Sequence, residues 1–228
     1  MPPICSFSRS PRLVLPVEAL RLYSATASSD QLEHGDTTVR LMSTSEQGGA
    51  RSTLMMGRYK YACGTSPTAA CVVSEIKDGQ LIFSYLDPVK GKGQEIARLP
   101  GYQAPEPRWD LSPDGTRIAV VDERKLVGEI QILNLADRRI TVLPVRGWKW
   151  QFLSQISWAA HGKGLFALAQ SASSMAILSL DANGTSRVLY EMPTGSGWIS
   201  SLVPSPDGRS LAFTRRMFIH DVMLLENF

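Results

Sequence analysis

Few residues in this chain could do chemistry, and none of them are gathered as chemistry requires. A serine hydrolase needs Gly-x-Ser-x-Gly at a nucleophile elbow, with an acid and a histidine further along the chain. The nearest strings, Gly64-Thr-Ser-Pro67 and Gly195-Ser-Gly-Trp198, both fail that pattern. Gly91-Lys-Gly93 lacks the spacing and following helix of a phosphate-binding loop and reads as a solvated hairpin turn. The three histidines, His34, His161 and His220, are far apart. The three cysteines, Cys5, Cys63 and Cys71, contain no Cys-x-x-Cys pair, so no metal site has ligands at workable spacing. No cofactor is expected. Cys63 and Cys71 flank the loop 64–70, where two antiparallel strands would bring the sulfurs face to face; two buried free thiols are favoured over a bridge, which needs an oxidising compartment. Trp148-Lys149-Trp150 is read as an exposed partner-binding patch of aromatics beside a cation. Trp109, Trp158 and Trp198 are read instead as core rings. Asp122-Glu-Arg-Lys125 and Arg215-Arg216 are expected in ordinary charged loops.

The elements that would position these residues repeat. Gly115, Gly162 and Gly208 recur at intervals of 47 and 46 residues. Each follows a short apolar strand and precedes another. A period near 45 with several short strands per unit points to an all-β fold, a β-propeller of four-stranded antiparallel blades, partial or with few blades. In Ser112-Pro113-Asp114-Gly115 and Ser205-Pro206-Asp207-Gly208, proline presets φ at the second position and glycine accepts a positive φ at the fourth. These residues, with Gly162, are assigned as structural turn residues between the first and second strands of their blades.

The blades are expected at about 57–100, 104–147 and 150–194, with an incomplete unit at 198–228 and a partial one at 37–56. The clearest unit places strands at Arg108–Leu111, Ile118–Val121, Glu129–Leu135 and Ile140–Leu143. Asp181-Ala-Asn-Gly184 is a hairpin signal, because Asn-Gly tolerates two positive φ values. The last unit is expected to have three strands, the third at Val222–Leu225. Residues 1–36 form a poorly defined segment, either a tail or degraded blade strands such as Arg12–Leu15 and Ala19–Tyr23. Arg12–Leu15 is the one nearby candidate to complete the last blade and close a ring.

Composition narrows the function classes. Of 228 residues, 43% are hydrophobic and 20% charged, as in an ordinary globular protein. The net charge of +3 comes from scattered Lys and Arg with no basic stripe, so no nucleic-acid contact is expected. No run of eighteen apolar residues exists, so no membrane span is expected. The N-terminal Met1-Pro-Pro-Ile-Cys-Ser-Phe lacks the apolar core of a signal peptide, which points to the cytoplasm. A longer protein with a leader upstream would point to the periplasm.

The turns at Gly115 and Gly208 resemble the TolB-type propeller repeat: aromatic-x-x-Ser-Pro-Asp-Gly, a short apolar strand, then an aliphatic strand with an Asp-x-x-Gly outer hairpin. The resemblance covers about residues 57–228. Phe83–Gly93 and Val222–Phe228 look most like the versions at the C-termini of bacterial multidomain serine/threonine kinases and winged-helix regulators. The absent Asp-Gly around Thr68, and His161 in place of aspartate in the middle copy, depart from the pattern. No activity carries over from those partners; with no nucleophile beside a base, no metal set and no phosphate loop, the chain is expected to be a non-catalytic scaffold, a sensor or interaction module whose channel-end loops, with Trp148 and Trp150, bind a protein or peptide. The alternative is the propeller of a larger kinase or peptidase whose catalytic domain lies elsewhere.

Overall fold

In a computed structural model, residues 20–26, 39–45, 52–57, 59–65, 69–102, 106–122, 128–147 and 149–217 are described. The expected strands Arg12–Leu15 and Val222–Leu225 lie outside them, as do Trp148 and residues 123–125 of the loop after Asp122.

The strands follow the turns. β4 (Tyr59–Cys63), β5 (Cys71–Lys77), β6 (Gln80–Asp87) and β7 (Gly91–Pro100) form one antiparallel meander. β8 (Trp109–Leu111), β9 (Arg117–Val120), β10 (Glu129–Asn134) and β11 (Ile140–Pro144) form the next. β12 (Phe152–Trp158), β13 (Leu165–Gln170), β14 (Ser174–Leu180) and β15 (Ser186–Pro193) form a third. β16 (Gly197–Pro204) and β17 (Leu211–Met217) pair as the described part of a fourth unit. Upstream, β1 (Leu20–Thr26), β2 (Val39–Ser45) and β3 (Ser52–Gly57) make a three-stranded sheet. No α-helix occurs among the described residues; a single 3₁₀ turn spans Thr194–Ser196. The all-β, blade-by-blade expectation holds. Within it, β2 and β3 fall on the hairpin expected at 37–56, and β1 overlaps the candidate strand Ala19–Tyr23.

Successive four-stranded blades face one another through their apolar sides, so their second strands β5, β9 and β13 are largely buried, while β17 is exposed. Val72, Leu81, Phe83, Trp109, Ile118 and Leu133 join the first two four-stranded blades. Ala119, Ile130, Trp150, Ile156, Leu165 and Leu178 join the second and third. The innermost strands β4, β8, β12 and β16 stand next to one another in that order.

The first turns also touch. Gly115 and Gly208 both have φ of +71°, and Gly162 has +65°. In each, the glycine N–H donates to the carbonyl three residues back: Ser112, Ala159 or Ser205. A Cβ on Gly115 would stand 2.9 Å from the Ala70 backbone nitrogen, whereas the nearest atom to one on Gly208 would be in the His161 ring, at 3.2 Å, with no backbone among its three nearest atoms. Both substitutions to alanine carry the positive-φ cost of about 1 kcal/mol. Gly115→Ala is expected to exceed Gly208→Ala in thermal unfolding, because backbone cannot step aside as a histidine ring can. Equal shifts would remove the steric reading of the Gly115 joint.

The hairpin at Asp181–Gly184 differs from expectation. Gly184 alone takes a positive φ, +78°. Asp181 Oδ1 accepts the N–H groups of Asn183 and Thr185, both at 2.8 Å, and so shapes the turn without a second left-handed residue.

Candidate functional site

Sequence reasoning placed a patch at Trp148-Lys149-Trp150, and the structure divides it. Trp150 is buried in the core between the second and third four-stranded blades, so it is not an exposed ring. The chain enters β12 directly after it, and an aromatic there fills the space between sheets. Lys149 is exposed, with its ammonium 4.7 Å from the Trp150 ring centroid and 3.8 Å from Glu191. Of the rings assigned to the core, Trp109 and Trp158 are buried, while Trp198 on β16 is 40% exposed.

Cys63 and Cys71 form a disulfide, which corrects the expectation of free thiols. They are direct cross-strand partners at the ends of β4 and β5. Gly64 N–H closes the loop on the Ala70 carbonyl at 3.1 Å. That register holds both side chains on one face. The loop reaches the next blade, where Thr65 donates both its N–H (2.8 Å) and its hydroxyl (3.1 Å) to the Pro113 carbonyl.

Two half-buried charges that sequence reasoning missed lie on the innermost strands. Lys60 on β4 donates to the Trp109 carbonyl, and its ammonium lies 5.3 Å from the Trp109 ring centroid. Asp110 on β8 accepts from the Trp158 N–H at 2.8 Å and the Ser157 hydroxyl at 3.2 Å, both on β12. Burial pushes the Asp110 carboxyl up, against the pull of Lys60 and these hydrogen bonds. Burial likewise lowers Lys60. In sequence both sit in strands beside aromatics and carry no motif. Asp110 acts as a joint between two blades, and the Trp158 indole returns a bond to its carbonyl at 3.1 Å. Among the described residues no group of three or more His, Cys, Asp or Glu could hold a metal ion.

A larger opening lies between the second and third four-stranded blades, a groove of about 460 Å³. One wall is the β10–β11 hairpin, with Ile132 and Leu143; the other is formed by the turns at Gly162–Leu165 and Asp181–Ala182. Trp158 forms the base, with the Arg117 guanidinium stacked 4.6 Å from its ring centroid and bonded to the Gly162 carbonyl at 2.9 Å. Arg139 and Lys163 stand on the lining together with Asp137 and Asp181. Asp181 is held below the usual carboxylate range first by the Thr185 N–H. No signal short of the folded blades could have found this groove, because it exists only where two sheets splay apart.

No protein-family model matches the sequence, and no curated protein matches it. Solved structures do match in three dimensions. TolB from Acinetobacter baumannii superposes with a TM-score of 0.59 at 17% identity, over 78% of this chain and 43% of that one. Hydrazine synthase from Kuenenia stuttgartiensis gives 0.52 at 16% identity, over 78% of this chain and 50% of the other. A structure from a study of two prolyl endopeptidases gives 0.56 at 10% identity, over 87% of this chain and 30% of that one. The chain thus spans half or less of the length of these three proteins. Identities this low speak to architecture alone. No helix among the described residues is long and apolar enough to cross a membrane. The four-stranded meanders, their radial packing and these superpositions together make the fold that of a TolB-type β-propeller.

Proposed function

We propose that this chain is a non-catalytic binding module, engaging a protein or peptide at the groove between its second and third four-stranded blades. The observation that carries the reading is the make-up of the groove. A cavity of a few hundred Å³ with apolar walls and a few placed charges is the ordinary form of a binding site, and Ile132, Leu143, Trp158 and Leu165 supply such walls here. The charged joint is taken up in holding blades together: Lys60 is bonded to the Trp109 carbonyl, and Asp110 to the Trp158 N–H and the Ser157 hydroxyl. Lys149 adds an exposed cation but no exposed tryptophan partner within the described residues. The disulfide supports work in an oxidising compartment, such as a bacterial periplasm, rather than in the cytoplasm read from the N-terminus.

A photo-crosslinking residue placed at Thr141 or at Lys163, both on the groove, tests this in cells of the source organism. A discrete adduct is expected from both positions and none from Tyr85, which lies outside the groove on another blade. Adducts from Tyr85 alone, or from no position, would remove the groove as the working surface.

A second reading is favoured by the prolyl endopeptidase superposition, which matches under a third of that enzyme's chain. On it, this propeller serves a larger catalytic protein and binds on its behalf.

A further inference from the structure

β11 is the outermost strand of its blade and, among the described residues, pairs only with β10. Its register sets Thr141 opposite Ile132 and Leu143 opposite Ile130, and the Asn134 N–H donates to the Arg139 carbonyl at 2.9 Å. In an antiparallel ladder, residues two apart turn their backbone groups the same way. Arg139, Thr141 and Leu143 therefore face β10, and Ile140 and Val142 present their N–H and C=O groups to the open edge. Ile140 and Val142 are also 43% and 53% exposed, so the edge is apolar as well as unpaired. Natural proteins usually blunt such edges. Here only the far end is closed. Pro144 has no N–H, and the next blade locks on just beyond, with the Arg146 N–H on the Gly184 carbonyl and the Ser186 hydroxyl on the Arg146 carbonyl, both 2.8 Å.

The charges beside this edge are unevenly engaged. Asp181 is occupied by its own turn, and Asp137 Oδ1 takes the Arg139 N–H at 3.1 Å. Arg117 is held by Trp158 and Gly162. Lys163 makes no ion pair or hydrogen bond within the described residues. The Arg139 side chain is 83% exposed and only loosely paired, 3.8 Å from Asp137. The anions are satisfied and two cations face outward.

We propose that the groove takes an extended peptide that carries acidic and apolar residues in turn at every second position, all on one face, and adds to the open edge of β11 as a further strand. This rests on the binding-module reading above and names its ligand. The peptide backbone pairs with Ile140 and Val142. On its groove-facing side, apolar side chains lie against Leu143, Leu165 and Trp158, and the carboxylates between them, two residues away along the strand, meet Arg139 and Lys163. Main-chain pairing supplies affinity in this mode and the side-chain pockets supply choice.

The probe is a fluorescein-labelled octapeptide, Glu-Thr-Val-Thr-Glu-Thr-Val-Thr, blocked at its C-terminus, which puts glutamate and valine on one face; lysine replaces glutamate in a second peptide. Fluorescence anisotropy with the full chain should show saturable binding of the glutamate peptide and binding about tenfold weaker, or less, for the lysine peptide. Arg139→Glu with Lys163→Glu should weaken the glutamate peptide by about tenfold or more. Val142→Pro removes one outward N–H at an edge position that tolerates proline and should weaken it by about threefold to tenfold, with circular dichroism and thermal midpoint unchanged. Equal binding of both peptides, or unchanged binding by both variants, overturns the proposal. Failure of the wild-type chain to bind either peptide also overturns it, while crosslinks from Thr141 and Lys163 would keep the binding module standing with another ligand. A wild-type chain that self-associates through this edge, as judged by Val142→Pro restoring the monomer, would assign the edge to a second copy and likewise overturn it.

Discussion

Replacing Trp109 with alanine is expected to cost about 3–5 kcal/mol, the range for deleting a large buried aromatic. The ring is fully buried and stands edge-on to Phe83 with centroids 5.3 Å apart. Its indole N–H donates to the Ser74 hydroxyl at 2.6 Å, across the joint between the first two four-stranded blades. Alanine would open a cavity and leave a buried hydroxyl without that donor. Trp109→Phe separates the two losses: it keeps most of the volume and should cost about 1–3 kcal/mol, chiefly the broken bond. Chemical denaturation measures both. A Trp109→Ala variant as stable as the parent would mean that the blades are not joined through this ring.

Reducing the Cys63–Cys71 disulfide, or replacing both residues with alanine, is expected to lower stability by about 2–3 kcal/mol, the chain-entropy value for so short a loop. In a chain of this size that corresponds to a thermal midpoint lower by about 5–10 °C. The loss should appear locally as well. The Thr65 N–H on the Pro113 carbonyl should exchange with solvent faster in the reduced form, because the loop that carries it is no longer closed. If reduction leaves both the midpoint and that exchange rate unchanged, strand pairing alone holds the loop and the bond adds nothing.

The architecture was legible because the backbone leaves little choice at its turns. A left-handed residue is required at 115, 162 and 208, and glycine meets that need at each, so the period shows through even where His161 replaces the aspartate. The buried second strands were legible for a similar reason, since a strand covered on both faces must be apolar throughout. What failed depended on facing rather than on residue type. Trp150 and Trp198 are the same residue, yet one lies between two sheets and the other on a hairpin with its outer face open. The disulfide hinged on register, because only the pairing of Cys63 with Cys71 decides whether a nearby pair of cysteines meets. Asp110 looked like any polar residue in a strand. Its role depends on Trp158, 48 residues later, being set opposite it. The groove was hidden most thoroughly, as its walls come from hairpins of separate units.

The leaning of each blade's first turn on the next has a consequence for how the molecule comes apart. The loop at Thr65 rests on Pro113, Arg117 reaches Gly162, and His161 lies against Gly208. Each of these links, among the described residues, joins units adjacent in the chain. A molecule tied in this way behaves as a row of nearest-neighbour couplings. Loosening should then start at an outer unit and advance one blade at a time, like a zip, with the blade of β8–β11 the last to lose its amide protection. A ligand strand clamped between that blade and the following one would sit beside the most durable part of the row.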